Sequence, residues 1–236
     1  MDSDVTNDNW DGPVLHERHT GSHRNRMILL WSLLSVFAIG LLVIFGSLAY
    51  KRQPILSTPS RLFEVKLGNL HGNPSEIGSF MLRTHPEWAP IGVDRFHDLV
   101  ISDFFNDCRF FRVIPGFVAQ FGINGDPSTE EEWRTNPLRD DPVVGTNRRG
   151  TLSFATAGNN TRTTQLFINL DDNIDLDSQG FAPIGEIISG MDVVETINSK
   201  WRQVPDQKKI IKDGNKYLID NFPDLTYIIS VTPILQ

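Results

Sequence analysis

The chain has 236 residues, 39% of them hydrophobic, which is enough for one domain of about 150–200 residues with additional segments. Residues 1–60 hold five acids and five bases, so the formal charge of −7 falls entirely on residues 61–236, where 17 bases face 24 acids. A domain that acidic lacks the footprint of a nucleic-acid binder, and Cys108, the only cysteine, excludes an intrachain disulfide or a thiolate metal cluster.

Residues 1–26 form a polar tail. From Met27 to Tyr50 no residue is charged, and Arg24, Arg26, Lys51 and Arg52 flank the run. Its 24 residues, at about 1.5 Å each in a helix, are long enough for the roughly 30 Å hydrocarbon layer. A cleaved signal peptide is the rival reading, because Ser47-Leu48-Ala49 offers small residues where a signal peptidase favours them. The long leading tail and the length of the apolar run favour an uncleaved signal anchor. Positive charges balance across the run, so they do not orient it. We carry forward a single-pass protein of the endomembrane system with a lumenal domain, the setting in which the sequon Asn159-Asn160-Thr161 would matter.

Residues 51–60 read as a Pro- and Ser-containing linker to a folded domain over 61–236. Phe63 to Leu67 alternates as a half-buried strand does, and the turn formers of 68–78 predict a hairpin to a strand containing Phe80 and Leu82. Val93, Phe96, His97 and Val100 carry the i, i+3, i+4, i+7 spacing of a helical face. Short apolar runs at 109–114, 117–121, 151–155, 165–170 and 184–188 predict an antiparallel sheet closing on itself. Residues 123–149 read as a long polar loop. A short amphipathic helix is expected over Met191 to Asn198, and a final strand over Tyr227 to Val231.

Two blocks carry the chemistry: Phe110-Phe111-Arg112-Val113-Ile114-Pro115-Gly116-Phe117-Val118-Ala119-Gln120, and Gly150 to Gly158 followed by Thr164-Gln165-Leu166-Phe167-Ile168. They set one Arg among aromatics and Gln, with no acid, base or nucleophile nearby, which describes a site that binds and polarises. An Arg among aromatics is more often a cation stacked on a ring, and large aromatics are usually core. The pairing of both blocks outweighs those readings. Asp171 to Asp177 superficially suggests a calcium loop, but Leu176 stands where Gly is required and Ala182 where the bidentate Glu belongs.

With Trp88-Ala89-Pro90, Gly125-Asp126-Pro127, Gly180-Phe181-Ala182-Pro183-Ile184-Gly185 and Gly190-Met191-Asp192-Val193-Val194 in order, the stretch Phe63 to Val231 resembles the cyclophilin family of peptidyl-prolyl cis-trans isomerases. The resemblance implies a mainly β fold: a closed eight-stranded antiparallel barrel capped by two helices, here preceded by one transmembrane helix, with the site on the barrel's outer face. It implies catalysis of rotation about X-Pro bonds in protein substrates, without cofactor or metal. Arg112 would donate to the prolyl nitrogen. Phe117, Val118, Phe167 and Leu176 would line the proline pocket, Gln165 would grip a substrate carbonyl, Gln120 would hold Arg112, and Ala155 and Thr156 would offer backbone contacts.

Departures mark the same site. Phe111, counted with the residues above as an expected substrate-binding residue, stands beside Arg112 where many members carry His, Val118 replaces a usual Met, and Thr156 a usual Asn. The Trp common just before Leu176 is absent, with Asn173-Ile174-Asp175 and a one-residue length change in its place, which implies weakened binding of a cyclosporin-type inhibitor. These departures motivate the alternative of a membrane-tethered module that binds proline peptides with little turnover.

Overall fold

The computed structural model describes residues 59–234. The expected tail, the anchor helix over 27–50 and nearly all of the linker lie outside the described residues, and among those described no helix is long and apolar enough to cross a membrane.

The elements run β1 (Leu62–Gly68), β2 (Ile77–Thr84), α1 (Pro90–Ile101), β3 (Arg112–Ile114), β4 (Val118–Phe121), α2 (Pro127–Arg134), β5 (Thr151–Phe154), β6 (Leu166–Asn169), β7 (Pro183–Ser189), α3 (Met191–Glu195), α4 (Gln207–Asn221) and β8 (Tyr227–Ile234). The hairpin forms as the alternation predicts, with Val65 opposite Phe80 and Phe63 opposite Leu82. Phe63, Val65, Leu67, Phe80 and Leu82 are all buried, because strand side chains alternate between faces and these share the inner one. Helix α1 starts at Pro90, suited to a first turn where its missing N–H costs nothing. Its orphan N–H groups at Ile91 and Gly92 are met by the buried Asp141 carboxylate at 3.0 and 2.8 Å.

All eight strands belong to one curled antiparallel sheet in the order β3-β4-β6-β5-β7-β2-β1-β8. The expected barrel closure takes a looser form. The three-residue β3 turns away before it can pair along β8, and the Val113 N–H bonds the Arg202 carbonyl instead, at 2.7 Å. The seam is carried by residues 107–110: an isolated bridge joins Arg109 to Tyr227, with Phe110 N–H donating to Thr226 and Ile228 N–H to Cys108, each at 2.9 Å.

Two further corrections concern helices. The two capping helices predicted are present as α1 and α3, the latter ending at Glu195 rather than Asn198, but α2 and α4 add two more. Helix α2 lies inside the expected polar loop, with the Asp126 carboxylate accepting from Ser128 N–H at 2.8 Å and Pro127 opening the first turn. Helix α4 is capped by Asp206, which accepts from Lys208 N–H at 2.8 Å. It covers a second core of Phe111, Ile123, Ile210, Leu218, Phe222 and Leu225, apart from the main core inside the sheet.

Candidate active site

Strand periodicity builds the site. Ala119, Phe121, Leu166 and Ile168 point into the main core, so Val118, Gln120 and Phe167, on the alternate positions of β4 and β6, face outward. Register completes the grouping: Arg112 sits opposite Gln120, and Gln120 opposite Phe167. The 3₁₀ turn Ile174–Gln179 then brings Leu176 against Val118 and Phe167, with Phe117, Ala155 and Phe181 packed around them.

The result is an open cleft of about 270 Å³ lined by Arg112, Phe117, Val118, Gln120, Ala155, Thr156, Phe167, Leu176, Gln179 and Phe181. Its floor is apolar, with Phe167 and Phe181 edge to face at 5.6 Å between centroids. One cation stands at the edge of this surface. The Arg112 guanidinium lies 5.6 Å from the Phe117 ring centroid and donates through Nη1 to Gln120 Oε1 at 3.2 Å. Partial burial pushes its pKa below the ordinary value, yet a guanidinium keeps its charge at any physiological pH.

Gln120 in turn donates from Nε2 to Gln165 Oε1 at 2.9 Å. The chain fixes the sense of both amides. Because Arg112 can only donate, Gln120 must present oxygen to it and NH₂ to Gln165, which leaves the Gln165 NH₂ as an outward donor. Gln165 thus joins the site through Gln120 rather than as part of the cleft lining.

Eight of the ten expected site residues line the cleft and Gln165 adjoins it. Phe111 is the exception: it is buried in the second core under α4, beside Ile123 and Ile210. An apolar ring on the face opposite Arg112 gains more from that packing than from solvent, so Phe111 is a core residue and offers no contact at the cleft. Thr156 lies at the rim, but its hydroxyl is bonded to Gly158 and Thr161 within its own loop. The Ala155 N–H is taken by the Gln165 carbonyl at 2.9 Å, so of its two backbone groups only the carbonyl is left for an incoming chain. Gln179 and Phe181 are additional walls. Phe181 lay within the Gly180–Gly185 motif, whereas Gln179 is placed by the 3₁₀ turn and carried no signal of its own.

Comparison with known proteins identifies the family of the domain that carries this cleft. The family model for the cyclophilin type peptidyl-prolyl cis-trans isomerase/CLD matches residues 72–215. The chain is 38% identical over 154 residues to peptidyl-prolyl cis-trans isomerase A of Dickeya dadantii (strain 3937), covering 59% of this chain and 80% of that one. It is 33% identical over 129 residues to peptidyl-prolyl cis-trans isomerase B of Escherichia coli (strain K12), covering 51% and 78%. The fold matches a crystal structure of a Cryptosporidium parvum cyclophilin type peptidyl-prolyl cis-trans isomerase in the presence of the dipeptide Ala-Pro, with a TM-score of 0.52 at 20% identity over 75% of this chain and all of that one.

Proposed function

The chain belongs to the cyclophilin-type peptidyl-prolyl cis-trans isomerase family and is a prolyl isomerase; on that premise we propose that the Arg112 cleft is where it works, with the proline ring seated among Phe117, Val118, Phe167, Leu176 and Phe181. The observation that carries this reading is a single cation, held by Gln120 at 3.2 Å, at the edge of an apolar floor in a cleft of about 270 Å³ whose rim is polar.

The physics of the reaction asks for that arrangement. Rotation about X-Pro is opposed by amide resonance, a barrier of roughly 18–20 kcal/mol, while cis and trans differ by only about 0.5–1 kcal/mol. No bond is made or broken. In the twisted state the prolyl nitrogen regains its lone pair, and an N–H donor aimed at that nitrogen stabilises the twisted state over either planar one. Arg112 is that donor. An apolar seat excludes water that would weaken the contact, and the Gln165 NH₂ is oriented to hold a substrate carbonyl while the far side of the bond turns. Gln120 positions both.

Arg112→Ala is expected to lower kcat/KM for cis-trans exchange in a short X-Pro peptide by about 10²–10³, the usual cost of removing one such donor. Exchange NMR on the purified domain measures it. A variant retaining more than a tenth of the parental rate would move the reaction elsewhere.

We further propose that residues 27–50 anchor the protein in an endomembrane with residues 61–236 lumenal, on the strength of the 24-residue uncharged run. Expressed in sealed vesicles, the domain should then resist added protease until detergent is present, with any glycan on Asn159 appearing in the protected fraction. Digestion without detergent sinks the lumenal assignment.

A further inference from the structure

Three walls of the cleft come from loops outside the strand ladder, and each is tied through its backbone to one buried polar cluster. At the centre is Asn147, on the segment before β5, with no exposed surface. Its Nδ2 donates to Asp177 Oδ1 and to the Phe181 carbonyl, both at 2.7 Å. Its Oδ1 accepts from Ser153 Oγ at 2.8 Å and from Asn169 Nδ2 at 3.1 Å. All four hydrogen-bonding positions of the amide are therefore filled. The Asn147 backbone adds two more ties, its N–H to Asp177 Oδ1 at 2.8 Å and its carbonyl accepting from Asn173 N–H at 2.8 Å.

The cluster reaches the other walls through Asn173. Its Nδ2 donates to the Phe117 carbonyl at 2.9 Å and to Asn169 Oδ1 at 2.8 Å, and its own carbonyl accepts the Leu176 N–H at 2.9 Å. Phe117, Leu176 and Phe181 thus take their spacing from one network. A fully satisfied buried amide has a single low-energy orientation, because any rotation strands a donor or an acceptor without water to replace its partner. This is also where the chain departs from its family, with Asn173-Ile174-Asp175 standing where a Trp is common.

We propose that Asn147 is a positioning residue for isomerisation. It touches no substrate, and it sets the distance between the walls that grip the proline ring. The inference rests on the Arg112 cleft being the reaction site, and the experiment separates the two ideas. If Arg112→Ala leaves exchange intact, the site itself is misplaced; if Arg112→Ala is inactive, the site stands and Asn147 can be judged within it. Asn147→Ala should then raise KM for an Ala-Pro peptide roughly 5- to 10-fold with kcat within about twofold, because ground and transition states lose the same wall. Asn173→Ala, partly exposed and easier on the fold, cuts only the Phe117 and Asn169 ties and should show the same signature in milder form. It decides the matter if Asn147→Ala does not fold. A lowered melting temperature with unchanged KM in the folded enzyme, or a parallel fall in kcat and kcat/KM, would overturn the proposal.

Discussion

His97 and Glu130 are both buried, at 4% and 1% exposed, and burial moves them in opposite senses. Burial, helped by the Arg61 charge, pulls the His97 imidazole from 6.5 to about 4. As pH falls the unfolded chain takes up this proton first, so the His97 contribution to stability declines between about 6.5 and 4, by up to roughly 3 kcal/mol. Burial pushes the Glu130 carboxyl from 4.5 up to about 7, although the Asn124 N–H bonded to it at 2.8 Å works the other way. Here the folded state keeps a proton the unfolded state has lost, and stability declines as pH rises from about 4.5 to 7. The two effects nearly cancel over that interval, and single substitutions unmask them. Glu130→Gln keeps an acceptor for Asn124 and should gain about 1–3 kcal/mol over the parent at pH 8 while matching it at pH 4. Urea midpoints across pH measure this, and a constant offset at every pH would count against it. Residue scale is also where sequence reading divides. Arg112 was legible because two motif blocks, in order along the chain, outweighed the commoner reading of a cation stacked on a ring. Phe111, one position away, was not: a phenylalanine reads the same whether it faces a ligand or a second core, and only α4 distinguishes the two.

Helix α4 shows what an element can hide. It is broken at Gly214, whose φ of 60° and ψ of −149° are accessible to few residues but glycine. There the chain passes so close to Gly125 that a Cβ would lie 2.1 Å from the Gly125 carbonyl oxygen, which also accepts the Asn215 N–H at 2.8 Å. Gly214→Ala should therefore cost at least roughly 2 kcal/mol, a fall in melting temperature of about 4–8 °C for a domain this size. A scanning-calorimetry midpoint within 1–2 °C of the parent, allowing ~1 °C for measurement, would show that the backbone can shift to accept the methyl. Strand β1 and helix α1 were readable because each repeats a buried face, every two or every three to four residues, and the central strands β4, β5 and β6, buried at every position, because each is a short apolar run between turn formers. Helix α2 escaped because it is short and mostly polar, with Glu130 as its one fully buried side chain; Asp126-Pro127 was the cap signal available. Helix α4 escaped because the break at Gly214 interrupts its apolar stripe between Ile210 and Leu218.

For the whole molecule, alternation and short apolar runs marked the strand segments and suggested an antiparallel sheet, the resemblance supplied the eight-stranded barrel, and the two motif blocks located the cleft. Strand order, the loose seam and the Asn147 cluster were not legible, since they depend on pairings between distant segments and on polar residues whose partners no local pattern announces. One of those pairings governs how the protein is made. β1 finds its outer neighbour only in β8, with residue 65 facing residue 231. At about 5–20 residues per second of synthesis, the β1–β2 hairpin waits on the order of ten seconds or more for the strand that covers it. Throughout that interval its outer edge is an open template for any passing strand. The first-made strands of this domain are thus the last to have their edge covered, and synthesis is the stage at which that edge is open to a wrong partner.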